Sequence, residues 1–225
     1  LLPSLAMSRD HALRRAINQA PPEINTKLKR LTEVIKHDLE HGEWTDVKTG
    51  EVKKGKPAVV FSDSKREIAM IVEHLRAQGI RAVAYHGGLS HDARDDVRLG
   101  FQPEKGEPKY DVLVGTAAME AGVNLQRAKA LHHYDVPMTP KSWSQRTGRA
   151  YRQKQRGDVD VHDWHVDHDY DTRARRRLRR KSGLASVFET PLGALDEHGI
   201  AALHQRRLQR KHQAEDLQEL PLAAK

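Results

Sequence analysis

AVVFSDSKREIAMIVEHLRAQGIRAVAYHGG, residues 58–88, carries the pattern that decides the architecture. Ala58, Val59, Val60 and Phe61 form an unbroken apolar, partly β-branched run between Pro57 and Ser62, the mark of a strand buried on both faces of a parallel sheet. Ile68, Ile71, Val72 and Leu75 then recur at helical spacing, so a helix carries the chain back across that strand. Gly79 can stop this helix in a left-handed turn. Residues 81–85 form the next strand, and His86, Gly87 and Gly88 its exit loop.

The pattern repeats downstream. Ser90 caps a helix reaching about Phe101, and residues 110–114, 129–134 and 159–164 are further strands. Strands alternating with helices predict an α/β fold, a doubly wound parallel sheet with helices on both faces. Ligands of such sheets lie at the carboxyl ends of the strands, which marks Ser62, Asp63, residues 86–88, residues 116–122 and Val136. Upstream, Leu28, Leu31, Ile35 and Leu39 form a helical stripe beyond Pro21 and Pro22, and residues 43–55, EWTDVKTGEVKKG, form a polar loop or small hairpin. Downstream of Trp164, seven cations crowd residues 173–181, and residues 200–217 have the pattern of a polar helix. The expected organisation is a helical lead-in and polar loop over 1–55, the α/β lobe over 56–165 and a basic helical extension over 166–225.

The 225 residues carry a net charge of +8 and no cysteine. A disulfide framework and a thiolate zinc site are thereby excluded. The basic balance, with a pI of about 9.7, favours an anionic partner, either nucleic acid or nucleotide. Mean hydropathy is −0.76, and no apolar run approaches the roughly 20 residues of a spanning helix, so no membrane partner is expected. A cytoplasmic location is expected, with nucleoid association or a nuclear site compatible. The first residue is Leu1, from which a fragment or processed product of a longer chain is expected.

The stretch with the most chemistry is PMTPKSWSQRTGRAYRQKQR, residues 137–156. Thr139 can cap a helix, Pro140 suits its first position and Gly157 can end it. On such a helix Gln145, Arg149 and Arg152 stand at i, i+4 and i+7, in one row on one face. Gly148, mid-helix, costs about 1 kcal/mol relative to alanine, so something is expected to approach the backbone there. A planar, always charged guanidinium fork suits phosphate oxygens.

QRTGRAYR resembles the Gln-x-x-Gly-Arg-x-x-Arg signature of the last conserved motif of superfamily 2 helicases and translocases. Residues 58–75, residues 83–102 and GTAAMEAGVNL at 115–125 resemble three further motifs of that family, in its order, over residues 56 to about 165. The resemblance implies a C-terminal RecA-like lobe in which Arg149 and Arg152, with Gln145 beside them, reach the γ-phosphate of ATP. It implies a nucleotide-side role for Gly122, Asn124 and Gly148, although Asn124 stands where many relatives carry an acidic residue. Contacts to the nucleic-acid backbone are implied for Thr116, Ser62, His86, Gly87 and Gly88.

Gln145 replaces the histidine usual in DEAD-box RNA helicases. HYDVPMTPKSWSQRTGRAYRQKQ looks closer to SWI/SNF-like DNA translocases, with Lys154 in place of their usual glycine, so DNA is favoured over RNA. No G-x-x-x-x-G-K-[ST] loop occurs in the chain. ATP with Mg2+ is therefore expected to be held mainly by an N-terminal RecA-like lobe of the same polypeptide, and this chain alone is expected to be inactive. The alternatives are a non-catalytic docking module derived from such a lobe, or part of an RNA helicase.

Three histidine or acidic strings are decoys. His37 and His41 stand one helical turn apart without an assignable third ligand, His162, His165 and His168 alternate faces, and the acidic string at residues 196–198 follows no apolar strand. No metal site is expected. The cations of residues 173–181 form a solvated face or brace the lobe, readings favoured over contact with phosphates.

Overall fold

In the computed structural model, which describes residues 12, 15–120, 123–135, 137, 139–151, 155–165 and 176, the apolar run at residues 58–61 is the middle strand of a five-stranded sheet. The elements are α1 (Thr26–His41), β1 (Glu43–Thr45), β2 (Val52–Lys54), β3 (Ala58–Phe61), α2 (Lys65–Ala77), β4 (Ala82–Tyr85), α3 (His91–Phe101), β5 (Val112–Gly115), a 3-10 turn (Ala117–Glu120), β6 (Ala130–His133), α4 (Pro140–Ala150) and β7 (Asp160–Asp163). The sheet order is β4-β5-β3-β6-β7 and every pairing is parallel. The chain begins in the middle, builds to one edge and then crosses to the other side of β3. That reversal opens a crevice at the carboxyl ends of β5, β3 and β6.

Period-2 alternation divides the strands between two cores. Ala58, Val60, Val112, Val114, Ala130 and Tyr134 face α1 and α2, meeting Leu28, Leu31, Ile35, Ile68, Ile71 and Leu75. Val59, Phe61, Leu113 and Leu131 face the other way, onto Phe101, Met119, Leu125 and Ala150. Helices thus cover both faces, as the doubly wound pattern requires. The Leu28 stripe belongs to the first core, so α1 packs as an integral layer of the lobe.

Local signals place the ends. Asn25 Oδ1 accepts the Leu28 N–H at 2.9 Å and caps α1, and Ser90 Oγ accepts the Ala93 N–H at 3.2 Å and caps α3. Gly79, at φ +79°, closes α2 with a paired turn: its N–H reaches Arg76 O, and the Ile80 N–H reaches Leu75 O. Residues 43–55 form the β1–β2 antiparallel hairpin. One helix end differs from expectation. α4 stops at Ala150 with Tyr151 as its cap, and Gly157 is buried against Trp44, where an added Cβ would lie 2.8 Å from the ring.

The extension over 166–225 lies outside the described residues except for Arg176, so the basic run at 173–181, His168 and the acidic string at 196–198 do too. Among the described residues no helix is long and apolar enough to cross a membrane.

Because Leu31 is fully buried, Leu31→Ala should cost about 2–5 kcal/mol in urea unfolding and leave a single transition. A cost within the range of surface substitutions, about 0.5 kcal/mol, would show that α1 is not part of the core.

Candidate functional site

Tyr85, Gly115 and Phe61 are in register across β4, β5 and β3, so His86, Thr116 and Ser62 leave the sheet side by side. Gly115 must be glycine, since a Cβ there would meet Tyr85 O and the Met119 sulfur. The Thr116 N–H donates to Tyr85 O at 3.1 Å, and Thr116 Oγ1 accepts the Ala118 N–H at 3.2 Å, which starts the 3-10 turn and leaves the hydroxyl proton to donate outward. His86 Nδ1 accepts the Gly88 N–H at 3.2 Å. Gly87 and Gly88 are exposed, and Lys65 Nζ lies only 2.9 Å from where a Gly88 Cβ would sit. Lys65, first residue of α2, was not marked by any motif; its position one turn above the β3 exit is the signal that could have found it.

Ser62 is corrected by its burial. It is fully buried, with Oγ 2.8 Å from Glu67 Oε2 and 2.9 Å from Asp135 Oδ2, so its side chain braces the rim from inside and does not face a polymer. Asp135 also accepts the Asp63 N–H at 2.8 Å and Asn18 Nδ2 at 2.7 Å. Burial first, then the charge of Asp135, pushes the Glu67 carboxyl up to about 7.

Thr139 Oγ1 accepts the Ser142 N–H at 3.1 Å and Pro140 opens α4, as expected. Gln145 is exposed and Arg149 half-buried, one turn apart on the same helix. Arg149 O accepts the Leu125 N–H at 3.2 Å, which sets the end of α4 beside the segment carrying exposed Asn124. No carboxylate among the described residues pairs with Arg149. Among the described residues nothing lies within 4 Å of a Cβ placed at Gly148, so none of them makes the close approach expected there.

α4 ends at Ala150, with Tyr151 as its C-cap. Tyr151 Oη donates to Val159 O at 3.1 Å and accepts the Val159 N–H at 3.3 Å, which draws the chain out of helix. Gln155 Nε2 then donates to Ala128 O and Ala150 O, while its Oε1 takes Lys129 Nζ at 2.6 Å. Arg152, Gly122 and Val136 lie outside the described residues.

Sequence reasoning missed Arg146, the cation that seats α4. It is 3% exposed, donates to Asp135 O at 3.2 Å and Asp63 Oδ1 at 3.0 Å, and lies over the Phe61 ring. It missed the hairpin clasp as well. Lys129 Nζ stands 4.2 Å over Trp44, and Arg156 pairs with buried Asp46 at 3.1 Å. Burial pushes the Lys129 ammonium down to about 8. For Asp46, burial works against its charge, yet the Lys48 N–H, Arg156 and Lys53 outweigh it and hold the carboxyl below its usual range.

His37 and His41 are exposed on α1, and among the described residues no three His, Cys, Asp or Glu side chains form a metal-binding group. His132 is fully buried, stacked on His162 at 4.8 Å, and its Nδ1 accepts the Trp164 indole N–H at 3.1 Å. Burial first, then the neighbouring His162 and His133, holds it neutral well below the ordinary histidine range.

A parallel sheet with a cation-bearing helix at its crevice is common to several nucleotide-associated families. The family model described as the helicase conserved C-terminal domain matches residues 27–154. The chain belongs to that family.

The helicase C-terminal domain is 35% identical over 100 residues to the ATP-dependent DNA helicase RecQ of Pasteurella multocida, covering 44% of this chain and 15% of that protein. It is 30% identical over 109 residues to the ATP-dependent RNA helicase abstrakt of Drosophila melanogaster, covering 47% of this chain and 16% of that one. The chain therefore spans only about a sixth of the length of either relative.

Its fold is similar to the C-terminal part of the Fun30 ATPase domain, with a TM-score of 0.55 and 14% identity over 67% of this chain and 44% of that one. The C-terminal domain of the DEAD-box protein Dbp5 gives a TM-score of 0.51 and 18% identity over 70% of this chain and 78% of that one. The domain thus shares its fold with the C-terminal lobes of Fun30 and Dbp5.

Glu67 and His132, both buried, act in opposite directions. Glu67, raised from 4.5, stabilises the fold below that value and loses this as pH rises through about 7; His132, depressed from 6.5, contributes stability above 6.5 that is lost as pH falls. Against wild type, the deficit of His132→Gln should therefore shrink as pH is lowered from 6.5, by up to about 1.4 kcal/mol per pH unit. A constant deficit between about pH 7.5 and 5 would mean that His132 protonates in the folded state.

Proposed function

We propose that the chain is the second motor lobe of an ATP-dependent helicase or translocase, with DNA favoured as its track. The observation that carries this reading is the state of Arg149. Arg81 and Arg127 pair with Asp111, Arg146 with Asp63 and Arg156 with Asp46, whereas half-buried Arg149 has no carboxylate among the described residues. A guanidinium held by a helix, one turn from a carboxamide and unneutralised by any carboxylate among the described residues, suits an external phosphate.

The donors present fit a phosphate but not a whole nucleotide site, since the sequence holds no phosphate loop. ATP and Mg2+ would be held mainly by a first lobe of the same polypeptide, and ATP would supply the phosphoryl group that is transferred to water. Arg149, with Arg152, would stabilise charge developing on that group, an effect worth about 10³–10⁵ in rate. Thr116 and the backbone N–H groups of residues 86–88, side by side on the rim, would hold the nucleic-acid backbone.

The DNA preference is supported by the RecQ relative and by Gln145. Stimulation of the ATPase of the whole polypeptide by RNA alone would instead place this lobe with its RNA-helicase relatives.

This chain alone should show no ATPase activity. In the polypeptide that includes the upstream lobe, Arg149→Ala and Arg152→Lys should each lower kcat at least 100-fold while DNA binding stays within about threefold; wild-type turnover in both would remove the finger assignment. Thr116→Ala in the same polypeptide should reduce DNA-stimulated hydrolysis far more than basal hydrolysis, and equal loss of the two would take Thr116 off the track.

A further inference from the structure

At the carboxyl end of β3 the interior holds more oxygen contacts than hydroxyl protons. Ser62 Oγ lies 2.8 Å from Glu67 Oε2 and 2.9 Å from Asp135 Oδ2, both distances of true hydrogen bonds. A serine hydroxyl carries one proton, and ionised carboxylates carry none. One proton cannot make both bonds linear, and a second proton between these groups is supplied only by a carboxyl in its acid form.

The donors say which. Asp135 already receives the Asp63 N–H and Asn18 Nδ2, at 2.8 and 2.7 Å, as an ionised carboxylate would. Besides Ser62, Glu67 has the long contact from Gln19 Nε2, at 3.4 Å, and the neighbouring Asp135 carboxyl, which has no proton to give while ionised. Two ionised carboxylates packed against one buried hydroxyl would also repel strongly.

We propose that Glu67 holds its proton until the pH approaches neutrality, donating to Ser62 Oγ while Ser62 donates to Asp135, and that this proton keeps the seat of α4 assembled. The link to α4 is direct. The Asp135 carbonyl and the Asp63 side chain are acceptors of Arg146, and the Asp63 N–H is held by Asp135. Ionising Glu67 sets a second negative charge against Asp135 and loosens the loop that supplies both acceptors. Glu67 is then a positioning residue for the arginine helix.

The charged and titratable groups around it are Asp63 before its own helix, Asp135 and Tyr134 after β6, Arg146 on α4 and Lys27 on α1. Arg146 reaches the Asp135 carbonyl and Asp63, and Lys27 reaches Asn18 Oδ1 at 3.2 Å and the Tyr134 ring at 4.3 Å; neither reaches the Glu67 carboxyl. The proton and the seat stand on this geometry alone; only their value to a motor rests on the proposed function, and no ATPase assay is needed to test them.

The test is a carbon-detected NMR titration of the Glu67 carboxyl in the full 225-residue chain. Its midpoint should fall near 7 rather than 4.5, and the backbone amides of residues 142–149 should shift with the same midpoint. A Glu67 midpoint in the ordinary carboxylate range overturns the proton, and α4 amides that ignore the titration overturn the link to α4.

Glu67→Gln, which mimics the protonated acid, gives a second reading. Its urea midpoint should gain on that of wild type as pH rises from about 5 to 8, since only wild type loses the proton. His132 titrates in both proteins and cancels in the difference. A difference that does not change with pH rejects the proposal, and if the variant fails to fold, the wild-type titration decides alone.

Discussion

The guanidinium of Arg146 is the contact on which the candidate site turns. A buried cation loses several kcal/mol of hydration unless its surroundings replace it, and here the replacement comes from three separate segments: the Phe61 ring at the end of β3, Asp63 at the start of α2 and the Asp135 carbonyl after β6. Fixing Arg146 fixes the roll of α4. At about 100° per residue, Gln145 and Arg149 fall on one flank of Arg146, about 100° and 60° round from it. The inward arginine thus determines where the outward one points.

The far end of α4 is secured by different chemistry. The β1–β2 hairpin sits against the strand that leaves α4, with Trp44 over Gly157 and under Lys129, and Asp46 against Arg156. The Val47 N–H adds a backbone bond to Arg156 O at 2.9 Å. A side chain at position 157 would push the indole away, so the close packing rests on a glycine there. The polar hairpin therefore acts as a clasp, and its charges serve the fold as much as solubility.

Most of the fold was legible because the strands of a parallel sheet are buried on both faces and stand out as short apolar runs; residues 58–61 were located to the residue. Caps at Ser90 and Thr139, and the stop at Gly79, are local signals, and stripes such as Leu28, Leu31 and Ile35 read directly as a buried face. The end of α4 was not legible, because Tyr151 and Gln155 stop the helix by reaching Val159, Ala128 and Lys129, distant in the sequence. Burial of polar groups was equally hidden. Ser62 sits where a ligand-facing residue would be expected, and only the packing of Glu67 and Asp135 around it shows that it faces inward. Arg146 was overlooked since a buried arginine and an exposed one share the same letter; its neighbours Gln145 and Arg149 drew the attention because their spacing matched a pattern.

One feature of the rim restricts how this lobe can move. The loops that begin at His86 and Thr116 spring from neighbouring strands locked in register, with the Thr116 N–H bonded to Tyr85 O and no room for a side chain at Gly115. Separating them means tearing the ladder from its end. They must therefore travel as one piece, with a fixed gap of about 4.8 Å between strand axes. Any stepping along a polymer then has to come from displacement of the entire sheet, and the compliance it requires must reside in joints outside these strands.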